Sequence, residues 1–209
     1  MKLKFLVIVF FISCFIGISS SLKAETFYCF ISFDTPNGPC QGLIEYNYTP
    51  PSPPNGNARL DFVRITFRVS CGKFVDYHSP TFWVDIQNAM INNLYTRHPA
   101  VFPPCGGQAP YVVFEIGQIN CLKFINNPSN FTLSIVGCDL ISSCYNYFSV
   151  CLNTLTYPYH LQKTYLYTAL ILNECPPWMD PTIHFPPTGL TFDDPWESGC
   201  MAPASCGNW

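Results

Sequence analysis

Residues 63–71 read VRITFRVSC, and this stretch predicts a strand more clearly than any other in the chain. Apolar side chains occupy every second position, which is the period of a strand with one buried and one solvated face. Leu60 and Phe62 fall in the opposite phase, so we expect a β-bulge near Phe62. Arg64 and Arg68 on the polar face are typical of a solvated face or of a guarded edge strand.

Further strand-like runs lie on both sides of this stretch. Residues 26–33 and 41–49 flank the turn sequence TPNG at 35–38, which predicts a hairpin. Four later runs with turn residues between them predict a meander of antiparallel strands. They are residues 111–125 (interrupted at Gly117), 131–138, 145–152 and 164–172.

Residues 80–95 are predicted to form one amphipathic helix. Ser79 suits the N-cap position and Pro80 the first helical position. Four large apolar side chains fall on one stripe of this helix, which favours packing on a sheet. They are Trp83, Ile86, Met90 and Leu94.

These elements predict a mainly β (α+β) fold, with one packed helix on an antiparallel sheet or in a β-sandwich. Residues 25–172 are expected to form a single disulfide-stabilised domain. Residues 173–209 are rich in proline, cysteine and tryptophan, which predicts an irregular segment pinned to the domain by disulfides.

The N-terminus reads as a secretory signal. Lys2 and Lys4 precede an apolar run over residues 5–18, and Ala24 suits a cleavage site, so we assign residues 1–24 to the signal. The alternatives are a retained membrane anchor and lipidation at Cys14. The run is shorter than the roughly 20 residues of a spanning helix. We therefore expect a secreted or cell-surface protein whose mature chain has no transmembrane segment.

Eleven of the twelve cysteines lie beyond the signal, and an oxidising compartment predicts that they pair. Because eleven is odd, one thiol is left free or joins another chain. Two local pairings suggest themselves from spacing, Cys138 with Cys144 and Cys200 with Cys206. The eleven candidates are Cys29, Cys40, Cys71, Cys105, Cys121, Cys138, Cys144, Cys151, Cys175, Cys200 and Cys206.

The composition excludes several classes of protein. Only 11% of residues are charged and ten are Lys or Arg, so the chain lacks the basic surface that nucleic-acid binding requires. Metal-binding cysteine spacings and nucleotide-cradling glycine motifs are absent from the sequence. We therefore expect no metal, no other cofactor and no nucleic-acid partner.

Four residues are the weak candidates for catalysis. Asp76 and His78 share a face if they lie on a strand, and His184 joins them if the C-terminal segment folds back. Glu115 stands in an otherwise apolar strand, which raises the pKa of a glutamate that is buried there. The simpler interpretation places all four on the solvated surface.

Aromatic residues make up 16% of the chain and concentrate in its last third. Exposed planar rings stack on sugars, whereas buried rings serve the core. Both interpretations stand for the candidate ligand-binding residues. These are Tyr145, Tyr147, Tyr165, Tyr167, Trp178 and Trp196.

The sequence carries no motif that names a family. It favours a non-catalytic secreted protein that binds an extracellular glycan or protein, or that assembles with itself. The alternatives are a secreted hydrolase and a carbohydrate-binding module. Two sequons, at Asn47 and Asn130, matter where the source cell glycosylates its exported proteins.

Overall fold

A computed structural model describes residues 23–51, 56–77, 79, 81–107, 112–119, 121–138, 143–171 and 185–201. Most of the predicted signal, residues 1–22, therefore lies outside the described residues. The strands and helices are β1 (Glu25–Phe33), β2 (Cys40–Thr49), β3 (Ala58–Arg68), α1 (Val69–Gly72), α2 (Thr81–Arg97), β4 (Val112–Ile119), β5 (Leu122–Asn127), β6 (Thr132–Gly137), β7 (Ser143–Asn153), β8 (His160–Ile171) and β9 (Trp196–Glu197).

In the described chain, nine strands form one curled sheet, which confirms the mainly β fold. The longest path across the sheet runs β8-β7-β4-β3-β6-β5-β9, and β1 and β2 join it at β3. Helix α2 is the packed helix that the sequence predicts, extended to Arg97. The single sheet decides between the two predicted architectures, because no second sheet faces it among the described residues.

The sheet divides at β3. One edge of β3 pairs with β2, while the opposite edge pairs with β4 through residues 58–61 and with β6 through residues 64–68. Tyr46 of β2 faces Phe62 and Glu45 faces Arg64, which leaves Val63 as an extra residue on β3. The bulge predicted near Phe62 is therefore confirmed.

The prediction of a simple antiparallel meander is wrong for the later strands. β4 runs parallel to β3 and antiparallel to β7, and it does not pair with β5. A parallel pair needs a long crossover, and α2 lies within the connection between β3 and β4. The predicted interruption at Gly117 is also wrong, because the run 111–125 divides after Ile119.

Strand β3 ends at Arg68, three residues earlier than the alternation predicts. The backbone N–H of Val69 donates to the carbonyl of Phe131 at 3.0 Å as the chain turns into α1. The disulfide between Cys40 and Cys71 holds this turn beside β2. Gly72 allows the close approach, since a Cβ there would lie 2.8 Å from the Cβ of Phe67.

The core lies between α2 and one face of the sheet. Phe82 stacks on Phe33 with ring centroids 4.9 Å apart, and Trp83 meets Phe62 edge-on at 5.5 Å. Ser79 precedes the helix and caps it as predicted: its Oγ accepts from the backbone N–H of Thr81 at 3.3 Å. The buried helix residues are Phe82, Trp83, Ile86, Gln87, Met90, Ile91 and Leu94.

Residues 185–201 of the C-terminal segment pack against the sheet. β9 extends the sheet beside β5, and the N–H of Met201 donates to the carbonyl of Leu122 at 2.9 Å. Phe185 contacts Phe124 with centroids 4.3 Å apart. The predicted disulfide pinning of this segment is confirmed by the bond between Cys138 and Cys200.

That bond makes both locally guessed cysteine pairings wrong, since each assigned a different partner to Cys138 or Cys200. Cysteines that are close in sequence are not partners here, because the fold brings Cys138, next to the end of β6, beside Cys200 of the C-terminal segment. Of the other candidates, Cys40 pairs with Cys71 and Cys105 with Cys151, while Cys121 and Cys144 are also disulfide-bonded. Cys175 and Cys206 lie outside the described residues.

Replacing Ile86 by alanine tests how far the core depends on α2. Ile86 is 1% exposed, and we expect Ile86→Ala to lower the free energy of unfolding by about 3 kcal/mol through lost burial and a cavity. The neighbouring exposed change Asp85→Ala should stay within about 0.5 kcal/mol of the native value. Urea unfolding of the two variants makes the comparison. Equal losses would show that α2 does not cover the core.

Candidate functional site

The face of the sheet away from α2 carries polar side chains. Along β3, Leu60 and Phe62 are buried in the core, so Arg59 and Asp61 project to the opposite, open face. The parallel register places Glu115 of β4 beside Arg59, and Gly117 beside Asp61. The open face therefore gathers opposite charges where β3 meets β4.

Arg59 is the centre of this group. Its Nε lies 2.8 Å from both carboxylate oxygens of Asp61, and its Nη2 donates to the hydroxyl of Tyr145 at 2.7 Å. Its Nη1 lies 3.8 Å from an oxygen of Glu115. Burial alone would lower the pKa of Arg59, but the hydrogen bond and charge of Asp61, together with the charges of Tyr145 and Glu115, outweigh it and the pKa is raised. We call Arg59, Asp61, Glu115 and Tyr145 the Arg59 cluster.

Gly117 makes room for the Arg59 cluster. A Cβ on this residue would overlap the carboxylate oxygen of Asp61 and approach the ring of Tyr145 to 3.1 Å. Any side chain there would push Asp61 away from Arg59. This packing requirement accounts for a glycine inside a strand.

Tyr147 and Tyr167 extend the same face toward the edge of the sheet. Their rings stack with centroids 4.3 Å apart and planes 16° from parallel. Burial raises the pKa of Tyr147, and the charge of Glu115 raises it further. Because one ring lies on the other, the pair does not form the flat side-by-side platform that sugar stacking would use.

The geometry of the Arg59 cluster suits a structural role, in which it joins neighbouring strands, better than acid–base chemistry. Glycoside hydrolysis uses two carboxylates that face a substrate between them. Here Arg59 contacts both Asp61 and Glu115, and Tyr145 closes the group from β7. The cluster therefore links β3, β4 and β7 across the open face.

Tyr165 does not join the other candidate tyrosines. A register shift between Tyr147 and Phe148 places Tyr165 opposite Phe148, and the two rings meet edge-on at 5.8 Å. The hydroxyl of Tyr165 lies 2.7 Å from Oγ1 of Thr168. The bulge therefore places Tyr165 and Tyr167 out of a common phase, so they do not share one face of β8.

Of the two tryptophan candidates, Trp178 and Trp196, the structure describes Trp196. Trp196 is 6% exposed, and its indole N–H donates to the carbonyl of Thr191 at 3.0 Å. Its ring packs on Phe192 and belongs to the hydrophobic core, where it presents little surface to a ligand. Trp178 lies outside the described residues.

Of the predicted acid–base group of Asp76, His78 and His184, the structure describes Asp76, and the grouping stays a prediction. Asp76 is exposed in the turn before α2, where its carbonyl accepts from the N–H of Ser79 at 3.2 Å. His78 and His184 lie outside the described residues. Glu115, the remaining catalytic candidate, belongs to the Arg59 cluster.

The described residues hold neither a candidate metal site nor a membrane-spanning helix. No group of three or more His, Cys, Asp or Glu side chains in this part of the chain lies where it could hold a metal ion. None of the helices in the same ranges is long and apolar enough to cross a membrane.

A groove of about 630 Å³ lies on the open face beside the Cys40–Cys71 disulfide. Strands β1, β2, β3 and β6 contribute to its lining, and the side chains include Arg68 of β3. We call it the Arg68 groove. Its apolar part includes Phe30, which is 71% exposed, and Leu43, together with Pro39, Phe67 and Cys71.

A second exposed surface is the hairpin of β7 and β8, residues 143–171, which we call the β7–β8 arm. Its tip presents Leu155 at 92% and Tyr157 at 91% exposure. Within the described chain β8 pairs with β7 alone, so one edge of β8 carries no strand there. Exposed apolar side chains beside an open edge are typical of a contact surface.

Cys29, one of the eleven candidates for pairing, is a free thiol. It lies on the core side of β1 and is 7% exposed. No other free cysteine occurs in the described ranges. Burial raises the pKa of the Cys29 thiol to about 11, against a smaller opposing effect of Arg97. A thiol so placed is a poor nucleophile and cannot reach another chain without unfolding β1.

The two sequons lie in different surroundings. Asn47 is within β2, between β1 and β3, and its side-chain oxygen accepts from Thr26 at 2.8 Å. Asn130 is exposed in the 3₁₀ helix Pro128–Asn130. Of the two, Asn130 is the residue that offers its amide to solvent.

Comparison of the chain with protein-family models, with curated protein sequences and with solved structures gives no match. The functional argument therefore depends on the arrangement of this chain's own residues.

Sequence reasoning identified Glu115, Tyr145, Tyr147 and Tyr167 as candidates but missed Arg59, which joins β3 to two of their strands, β4 and β7. The alternation of residues 58–62 could have identified Arg59, because Arg59 and Asp61 lie between residues that are buried. What the sequence did not contain was the parallel pairing that brings Glu115 beside them.

Gly117→Ala tests the packing of the Arg59 cluster. We expect a loss of about 1–3 kcal/mol in unfolding free energy, because the added methyl overlaps Asp61. The control Gly199→Ala adds the same methyl where nothing lies within 4 Å, and we expect at most about 0.5 kcal/mol. Urea unfolding gives the energies, and the Hε resonance of Arg59 should shift in the first variant alone. An unchanged resonance and stability for Gly117→Ala would contradict the close packing.

The buried thiol predicts a pH dependence that Cys29→Ala should remove. Folding raises the pKa of Cys29 to about 11, so the unfolded chain loses this proton first as pH rises above the ordinary thiol pKa of about 8.5. The stability that the native chain gains from the protonated thiol is therefore present below about pH 8.5 and is lost as pH rises toward about 11. The difference in unfolding free energy between the native chain and Cys29→Ala should shrink over that interval.

Alkylation provides an independent check of the same residue. Iodoacetamide at pH 8 should leave Cys29 unmodified in the folded chain and label it in urea, as peptide mass spectrometry would show. Equal rates in both conditions would mean that β1 does not bury this thiol.

Proposed function

We propose that this chain is an extracellular, secreted or cell-surface protein that acts by binding and assembly without catalysis. We further propose that copies of the chain associate through the β7–β8 arm. The observation that carries the proposal is the concentration of exposed apolar side chains on this one hairpin.

The arm holds half of the large hydrophobic side chains that are exposed among the described residues, six of twelve. It contains no Asp or Glu, although the whole chain has a net charge of −3. A surface that is apolar and free of acidic groups favours contact with another protein surface over solvent. The six residues are Leu155, Tyr157, Tyr159, Tyr165, Leu166 and Tyr167.

The open edge of β8 suggests the form of the contact. Tyr165, Leu166 and Tyr167 lie near the middle of the strand and are 43–54% exposed. An antiparallel pair of β8 strands about a twofold axis would bring these residues of one copy against those of the other. Backbone hydrogen bonds along the edge would then continue the sheet across both copies.

The disulfides support an extracellular location. Three of them join distant parts of the described chain, and such bonds persist in oxidising compartments. The predicted signal over residues 1–24 agrees with this location. The burial of Cys29 favours association without an intermolecular disulfide.

Sedimentation velocity of the native chain over a range of concentrations tests the proposal. We expect a dimer or larger species, and a monomer for the double variant Tyr157→Ser/Leu166→Lys, which removes an exposed ring and charges the open edge. Phe131→Asn is the matched control, since it removes a 75% exposed ring from another part of the surface and retains a residue that tolerates its positive φ.

Association should persist in Cys29→Ala, because the buried thiol takes no part in the contact. A native chain that stays monomeric up to about 1 mM, equivalent to a free energy weaker than about 4 kcal/mol, would contradict assembly. A dimer that the double variant leaves intact would contradict the role of the arm.

A further inference from the structure

The Arg68 groove presents its side chains in two rows across the sheet. In the first row Phe30 of β1 faces Leu43 of β2, and Leu43 faces Thr66 of β3. In the second row Ser32 faces Gln41 on β1 and β2, and Arg68 faces Thr132 on β3 and β6. Because neighbouring strands lie about 4.8 Å apart, four strands span about 14 Å. The groove thus combines an apolar part, to which Pro39, Phe67 and Cys71 also contribute, with a polar part that holds one cation.

The charge of Arg68 has no acidic partner among the described residues. Three other basic side chains on this face are paired: Arg59 with Asp61, Arg64 with Glu45 and Lys123 with Glu197. No acidic residue lines the groove. Arg68 is exposed and offers its planar guanidinium to a ligand from outside the chain.

The neutral polar side chains of the groove are also available. Within the described chain no side-chain hydrogen bond engages Ser32, Gln41 or Thr132, so their hydroxyls and amide are open to a ligand. Phe30 presents an exposed ring face at the other end of the same groove. Together these groups offer one cation, several hydrogen-bonding groups and one aromatic surface.

We propose that the Arg68 groove binds a saccharide that carries a single acidic group. The carboxylate of the sugar pairs with Arg68, its hydroxyls bond to Ser32, Gln41 and Thr132, and the apolar face of a ring packs on Phe30. This site is separate from the β7–β8 arm and adds a glycan ligand to the assembly function proposed above. The net charge of −3 disfavours long polyanions, which a single cation would not hold.

Two other ligand classes fit the groove less well. The acyl chain of a fatty acid would cover Ser32, Gln41 and Thr132 without satisfying them, and each unsatisfied polar group costs about 1–3 kcal/mol. An acidic peptide would meet the face of the sheet, where strand backbones are already paired, whereas extended peptides dock on sheet edges. A sugar hydroxyl both donates and accepts, and so satisfies all three side chains.

Binding of glycans to the full mature chain tests the proposal. The probes are an array of neutral glycans and glycans with one terminal uronic acid, followed by calorimetry with the strongest acidic member, its neutral hexose counterpart and dodecanoate. We expect binding of the acidic glycan alone. Arg68→Gln should weaken it at least about tenfold, the size of one charge-assisted hydrogen bond. Phe30→Ala should weaken it as well.

Arg64→Gln is the matched control, because Arg64 lies on the same face of β3 but pairs with Glu45 outside the groove, and this variant should bind as the native chain does. The proposal is overturned if no acidic glycan binds at millimolar concentration, if the neutral counterpart binds equally, if Arg68→Gln has no effect, or if dodecanoate competes for the groove. Sedimentation of Arg68→Gln should match that of the native chain, so failure of this proposal is distinguishable from failure of assembly through the arm.

Discussion

Strand β3 pairs with two different strands along one edge, and the bulge at Val63 lies at the boundary between the two pairings. Before the bulge the strand pairs in parallel with β4, and after it the strand pairs antiparallel with β6. The extra residue also resets the side-chain phase, so that Leu60 and Phe62 before it and Ile65 after it are all buried. Without the reset, one half of β3 would turn its apolar side chains to solvent.

Both faces of the sheet follow from this arrangement. The apolar side packs against α2 and supplies most of the favourable free energy of folding, whereas exposed ion pairs are worth at most about 1 kcal/mol each. The Arg59 cluster is therefore better regarded as fixing the position of β4 and β7 than as the source of stability. Gly117 and the tyrosines beside it show that this position is closely packed.

The cysteines of the described chain have two roles: most form disulfides, and Cys29 packs in the core. Three disulfides connect elements that are distant in the sequence, and each restrains the unfolded chain because it closes a long loop. Cys29 remains a thiol within the core, where it serves as a small apolar side chain. The contacts that we propose with other molecules, at the β7–β8 arm and the Arg68 groove, are thus noncovalent.

The sequence by itself determined the local features of this protein. The alternation in β1, β2 and β3, the cap at Ser79 and the bulge near Phe62 all follow from side chains a few residues apart, because strand and helix periods are set by the local backbone. The same periodicity placed Glu115, Tyr145 and Tyr147 on their strands. Tertiary structure decided which strands are neighbours, which cysteines meet and which aromatic rings are covered. Those outcomes depend on contacts between residues far apart in the chain. A local pattern of side chains does not say which distant strand, cysteine or ring will lie against it in the folded protein.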